Sequence, residues 1–438
     1  PTPRASHGGG GKWNRVASMD DHFLTGPCSS SAHRTVGRRP VVLSGLLGVA
    51  SLAGCGTKSP ESDSQPTGDP DATSPAAETM ESSPAPDPGA TASSSSGPLG
   101  GWTLEQKAGQ LLMVGADTSG PQMVSIDAVS THHVGNVFIS GQTRAGAEPV
   151  RGVITTLTDL VGPDTTHDAP LLVATDQEGG QVQVLGGSGF SDIPSASEQA
   201  IMSTDDLTAS ARTWGQELAD VGVTMNLAPV ADLVDGPNPS SNGPIGKWER
   251  DYGHDAATAL DRATTFARGM EDAGLVATYK HFPGLGRVAG NTDTSASVTD
   301  SVTARTGDAA VEVFSRLIAD GARVVMVSSA VYTLIDAGSP AVFSSVVVTD
   351  MLRGDLGFTG VVITDDVSAA AQVSTWGPAE RAVLAVRAGC DIVLASGDPG
   401  VVEEMAQGLV DRARTDPAFA ARVDESVLRV LALKGVQP

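Results

Sequence analysis

An α/β fold, a (β/α)8 barrel of the TIM type, is predicted for residues 99–438 by three observations. Short Val/Ile/Leu/Met runs alternate with Ala-rich helical stretches, the texture of βα units and a parallel sheet. The runs are apolar throughout rather than alternating, as strands covered on both faces require. Nearly every run ends in a polar or ionisable residue, and the C-terminal strand ends are where barrel enzymes keep their chemistry. A doubly wound open sheet is the alternative, although no Gly-x-Gly-x-x-Gly follows a first strand.

In chain order the predicted strands are "LLMVGAD" (111–117), "NVFIS" (136–140), "LLVATD" (171–176) and "TMNLAPVAD" (224–232). They continue with "VATYKHF" (276–282), "RVVMVSS" (323–329), "VVITDD" (361–366) and "DIVLAS" (391–396). Between them "DLTASARTWGQELADVG", "HDAATALDRATTFARGMEDAG" and "GPAERAVLAVRAG" have helical periodicity and end in Gly, as helix C-termini prefer.

The first 98 residues read differently. Cys55 stands in "LAGC", after a mostly apolar run from Val41 to Ala53 that Arg34, Arg38 and Arg39 precede. Basic segment, short apolar segment and small residues form a secretory leader in that order, and the run is too short to span a bilayer. Leu-Ala-Gly-Cys resembles the bacterial lipobox, so Cys55 is expected to be lipidated and residues 1–54 to be an N-terminal extension and signal peptide. Residues 55–98 are Ser, Pro, Thr, Ala, Asp and Glu with few large apolar side chains, which predicts a disordered tether. The chain is then exported and held on the outer face of the cell membrane by lipid.

Composition narrows the partners. Twenty-eight Lys and Arg stand against 51 Asp and Glu, a formal charge of -23, which disfavours nucleic acid. Cys28, Cys55 and Cys390 fit neither a zinc site nor a disulfide framework, and no His-x-x-x-His, Gly-x-Ser-x-Gly or phosphate loop occurs. No metal or organic cofactor is expected.

Four segments carry candidate chemistry. In "VVITDDV" consecutive strand residues face opposite ways, so one of Asp365 and Asp366 can face the strand ends while the other caps the next helix. "TDQEGGQVQVL" sets Asp176 at a strand end, placed for two hydrogen bonds to sugar hydroxyls or for a turn, and Glu178 beside a Gly-Gly turn. Lys280 and His281 end an apolar strand and precede the loop "FPGLGRVAGNTD", whose Gly284, Gly286 and Gly290 suggest mobility. As neighbours they are expected to diverge. Arg250, in "GPIGKWERDYGHD", is placed to clamp a polar substrate or pair with a carboxylate.

Together "DQEGGQVQ", "LAPVADL", "KHFPGLG" and "LGFTGVVITDDV", in that order, resemble family 3 glycoside hydrolases, specifically the single-barrel β-N-acetylhexosaminidase branch. The resemblance implies a retaining exo-glycosidase that removes terminal β-linked N-acetylglucosamine from cell-wall fragments or other glycans. It implies Asp365 as nucleophile, and Asp176, Arg250, Lys280 and His281 as sugar-binding residues. Two departures stand out. Gln181 and Val184 replace arginines usual in the family, and the branch's acid/base histidine is missing from Asn291-Thr292-Asp293-Thr294-Ser295. Asp293 is the expected acid/base, provided its loop closes on the pocket and burial raises its pKa, with Glu178 in reserve. A family 3 β-glucosidase and a sugar-binding lipoprotein with impaired catalysis are the alternatives, and phosphorolysis is a third.

Overall fold

The computed structural model describes residues 98–437. The expected leader, Cys55 and nearly all of the expected tether lie outside the described residues.

The described chain is an α/β fold of parallel strands and covering helices. Its main strands are β1 (Leu112–Asp117), β2 (Asn136–Ser140), β3 (Leu172–Thr175), β4 (Met225–Asn226), β5 (Val276–Ala277), β6 (Tyr279–Phe282), β7 (Val324–Val327), β8 (Val361–Thr364) and β9 (Val393–Ala395). All form where the apolar runs predict strands. β1 to β5 pair in sequence and in parallel, while β9 pairs with β1. β6, β7 and β8 form a second parallel sheet. The two sheets meet through parallel bridges at Val230–Lys280 and Ile363–Ile392.

Side chains alternate between two cores. Met113, Phe138, Leu172, Ala174, Met225, Val324, Met326, Val361, Ile363 and Leu394 pack against one another in one cluster. Their neighbours in sequence, such as Val114, Val137, Val173, Val325 and Val362, face the helices. Both strand faces are therefore dry, which is why the runs read as uninterrupted Val, Ile and Leu.

The longer helices are α1 (Leu104–Gln110), α2 (Met123–Ser130), α3 (Ala147–Thr158), α4 (Thr204–Asp220), α5 (Ala256–Asp272), α6 (Ala309–Ala319), α7 (Pro378–Ala388), α8 (Val402–Thr415) and α9 (Pro417–Leu433). Val346–Asp355 is wound as a π-helix. Local signals start them: Ser203, Asp255, Asp308 and Asp416 each accept a hydrogen bond from a free first-turn amide.

At the N-terminal ends of β8 and β9, Asp391 is fully buried. It accepts from the Val362 amide (2.9 Å), Ser426 Oγ (2.9 Å), Arg353 Nη2 (2.5 Å) and Arg422 Nη2 (2.7 Å), with Arg429 at 3.3 Å. One carboxylate thus ties α9 and the π-helix to the strands. Among the described residues no helix is long and apolar enough to cross a membrane.

Candidate active site

The candidate residues gather at the opposite, C-terminal ends of the strands. After β3 the chain passes Asp176 and turns back on itself, Gln177–Gly179 pairing with Val182–Gln183. The side chain of Gln177 bonds both ways with the Leu185 backbone at 2.8 and 3.0 Å, which fixes this hairpin. Gly179 is demanded there. It has φ 110°, and a Cβ would lie 2.2 Å from the Pro194 carbonyl oxygen.

Glu178, carried on that hairpin, is buried and receives both Nε and Nη2 of Arg250 at 2.8 Å. Lys280 Nζ lies 2.5 Å from the same carboxylate and 2.7 Å from Asp176. Burial alone would raise the pKa of Glu178, but Arg250 and Lys280 outweigh it and hold the group at about 2. A carboxylate that stays ionised cannot donate a proton near neutral pH, so Glu178 is unsuited to the reserve acid/base role. It is the partner that allows Arg250 and Lys280 to be buried. Burial also works against the charge of Lys280, and Asp176 and Glu178 overcome it, raising its pKa. Asp176 keeps 28% of its side-chain surface open, against 3% for Lys280 and 5% for Glu178, so among these three it is the group most available to a ligand.

His281 was expected to diverge from Lys280, yet both side chains are buried at the same strand end. The ladder explains this. Tyr279 pairs with Val325 and Phe282 with Val327, so β6 spends three steps where β7 spends two. The extra residue is a bulge, and it resets the alternation of side chains. His281 Nδ1 lies 2.7 Å from Asp232, whose other oxygen accepts from the amides of His281 (3.1 Å) and Leu285 (2.7 Å). This fixes the imidazole and leaves Nε2 for a ligand.

Asp365 follows β8, with its carboxylate accepting from the Asp366 amide at 2.9 Å. Asp366 is differently employed. It accepts from Ser368 Oγ, the Ala369 amide, the Ser396 amide and Oγ, and the Gly397 amide, all within 3.1 Å. The second Asp organises the turn, and the first remains for chemistry. Burial raises the Asp365 pKa, while His281, the Asp366 amide and Lys280 counteract it.

Asp293 reaches the same region. Its loop, expected to be mobile, is pinned along its length. Tyr332 donates its hydroxyl proton to the Gly284 carbonyl (2.9 Å), and Asn242 Nδ2 donates to the carbonyls of Leu285 (2.9 Å) and Val288 (2.8 Å). Gly286 packs so closely on Leu233 that a Cβ would meet its carbonyl oxygen at 2.1 Å. The glycine therefore provides close approach rather than freedom. Farther on, the amides of Ala371 and Gln372 donate to the carbonyls of Asp293 and Thr292, each at 3.0 Å. Desolvation at this position, then Asp365 and Asp366, push the Asp293 pKa up to about 7 against the opposing pull of Arg250 and Asn291. The residue is exposed at the rim, so solvent reaches one face, and the upward direction carries the chemistry.

Of the expected site residues, Asp176, Arg250 and Lys280 form one network with Glu178, His281 pairs with Asp232 close by, and Asp293 and Asp365 interact electrostatically. Asp232 was missed as a site residue although it ends the "LAPVAD" motif. Among the described residues no group of three or more His, Cys, Asp or Glu is arranged to hold a metal ion.

A carboxyl at a strand end and a second on a loop that interacts with it, beside a cluster of Arg, Lys, His and Asp side chains, are the equipment of a glycoside hydrolase. The chain belongs to glycosyl hydrolase family 3: the profile of the "Glycosyl hydrolase family 3 N terminal domain" matches residues 103–433. It is similar to a β-N-acetylhexosaminidase from Beutenbergia cavernae, with 52% identity and a TM-score of 0.76, covering 76% of this chain and 99% of that one. The β-hexosaminidase LpqI of Mycobacterium tuberculosis is 32% identical over 346 residues, 76% of this chain and 83% of LpqI. A family 3 β-N-acetylglucosaminidase from a Paenibacillus species aligns at 30% identity and TM-score 0.69, over 76% of this chain and 62% of that one.

Proposed function

We propose that this chain is a retaining exo-β-N-acetylhexosaminidase that removes terminal β-linked N-acetylglucosamine from cell-wall fragments or other glycans. The observation that carries the reading is the pairing of Asp365 with an Asp293 whose pKa is pushed up to about 7. Asp365 Oδ attacks the anomeric carbon while Asp293 gives its proton to the departing oxygen, leaving a glycosyl ester on Asp365 and the aglycone alcohol. Asp293, now a carboxylate, then takes a proton from water as its oxygen attacks that carbon. The Asp365 ester bond breaks, the sugar leaves with its original configuration, and both residues are restored.

Asp176 accepts from sugar hydroxyls, and Arg250, Lys280 and His281 complete the sugar site. No step needs a metal or organic cofactor. The strands are read as a closed (β/α)8 barrel, a reading supported by the β1–β9 pairing and the bridges Val230–Lys280 and Ile363–Ile392. The Leu-Ala-Gly-Cys motif supports lipid attachment at Cys55 and an extracytoplasmic place on the cell membrane. Loss of the protein from the membrane fraction in Cys55→Ala is the expected result, and unchanged fractionation would remove the anchor.

The test of activity is hydrolysis of aryl N-acetyl-β-glucosaminides and aryl β-glucosides by wild type and Asp365→Ala. Turnover of the glucosaminide, abolished in Asp365→Ala, is expected. Preference for the glucoside would make the chain a β-glucosidase. Binding of sugar without turnover of either would make it a binding protein.

A further inference from the structure

We propose that Gln372 is a positioning residue for proton transfer, fastening the loop that carries Asp293 to the chain that carries Asp365. The inference rests on the reading of Asp293 as acid/base. Gln372 lies in the Ala371–Val373 turn, seven residues beyond Asp365, and is buried. Three of its polar groups are spent on the Asp293 loop. Its amide donates to the Thr292 carbonyl at 3.0 Å, its Oε1 accepts from the Val298 amide at 2.8 Å, and its Nε2 donates to the Val298 carbonyl at 3.2 Å. The neighbouring Ala371 amide holds the carbonyl of Asp293 itself.

These contacts grip the loop on both sides of Asp293, at positions 292 and 298. The same turn is continuous with β8 through Asp365–Ala370. A displacement of the acid/base relative to the nucleophile must therefore break hydrogen bonds to Gln372. The side chain touches neither catalytic carboxyl in the observed bonds, so its effect runs through Asp293. A bidentate side-chain clamp on one distant residue is more than space filling requires, because an apolar side chain of the same volume would fill the same place. What the amide adds is registration, and proton transfer is sensitive to registration at the scale of an ångström.

Gln372→Met keeps the length and volume and removes the clamp. The measurement is kcat/KM on two aryl N-acetyl-β-glucosaminides, one with a good leaving group and one with a poor one, for wild type, Gln372→Met, Asp293→Ala and the double variant. Gln372→Met is expected to lose about tenfold or more on the poor leaving group and little on the good one, since only the poor one needs the proton. The double variant should match Asp293→Ala on the poor substrate. Equal losses on both substrates, or losses that multiply in the double variant, would overturn the proposal. Turnover of the good substrate reports folding. Should Gln372→Met fail to fold, Gln372→Asn, whose amide is one methylene short of Val298, gives the same comparison. If Asp293→Ala alone shows no dependence on the leaving group, the acid/base reading fails and the clamp fails with it. A selective loss in Asp293→Ala without one in Gln372→Met removes the clamp alone.

Discussion

Asp293 and Glu178 show how two carboxyls in one neighbourhood acquire opposite characters. Glu178 meets two cations and is held at about 2, whereas desolvation, and then Asp365 and Asp366, push Asp293 up to about 7. If Asp293 is the acid, kcat/KM must fall as pH rises through about 7, and Asp293→Asn must remove that limb. On the same reading the acid limb belongs to Asp365, whose pKa burial raises, so that it takes up a proton and loses nucleophilicity at a higher pH than a free aspartate would. Stability follows the same sign. Folded Asp293 keeps its proton to higher pH than it does in the unfolded chain, so its contribution is present at low pH and lost as pH rises through about 7. Asp293→Asn is therefore expected to have a higher Tm than wild type at about pH 8, and an equal or lower one would contradict the raised pKa of this carboxyl. Sequence placed Asp176, Lys280, His281 and Asp365 at strand ends because each closes an apolar run. It did not reveal that Glu178 meets Arg250, 72 residues away, or that Asp232 meets His281, 49 residues away, because such pairings exist only once the strands are side by side.

The strands were the most legible elements. "NVFIS" became Asn136–Ser140 with the same bounds, since a β-branched and aromatic run flanked by Gly has one obvious structure. "TMNLAPVAD" shrank to Met225–Asn226 because Pro229 has no amide to give a ladder, although Val230 bridges to Lys280 and the Ala231 amide reaches the Lys280 carbonyl. Loops were least legible. Glycines that suggest mobility at Gly284, Gly286 and Gly290 instead accompany a loop held from several sides, and its anchors lie far away in sequence. Asn242 is the clearest of them. Its side chain donates to the carbonyls of Leu285 and Val288 and accepts from the amides of Ile245 and Gly246, each within 2.9 Å. It thereby joins the loop leading to Asp293 to the turn in which the Pro244 carbonyl accepts from Arg250. Asn242→Ala strands these buried groups and is expected to cost at least about 2 kcal/mol in denaturant unfolding and to raise KM. A neutral result would mean that water replaces the amide.

For the molecule as a whole, chemistry and stability are assigned to opposite ends of the strands. The C-terminal ends gather the site, and the N-terminal ends are closed by Asp391 and its arginines. Burial and the two neighbouring arginines depress the Arg353 pKa, against the pull of Asp391, so removing the carboxylate leaves like charges facing each other. Asp391→Ala is expected to destabilise the protein by about 3–5 kcal/mol while leaving kcat near wild type below the unfolding transition. A loss of kcat with unchanged stability would refute that division of labour. At the other end, Ala371 and Gln372 hold the backbone around Asp293 while belonging to the chain that runs on from Asp365. On the proposed reading, the arm that delivers the proton and the seat it rests on are thus separate stretches of sequence that work as one part. Anyone transplanting a histidine-bearing loop from a relative into this scaffold must exchange the seat along with the arm.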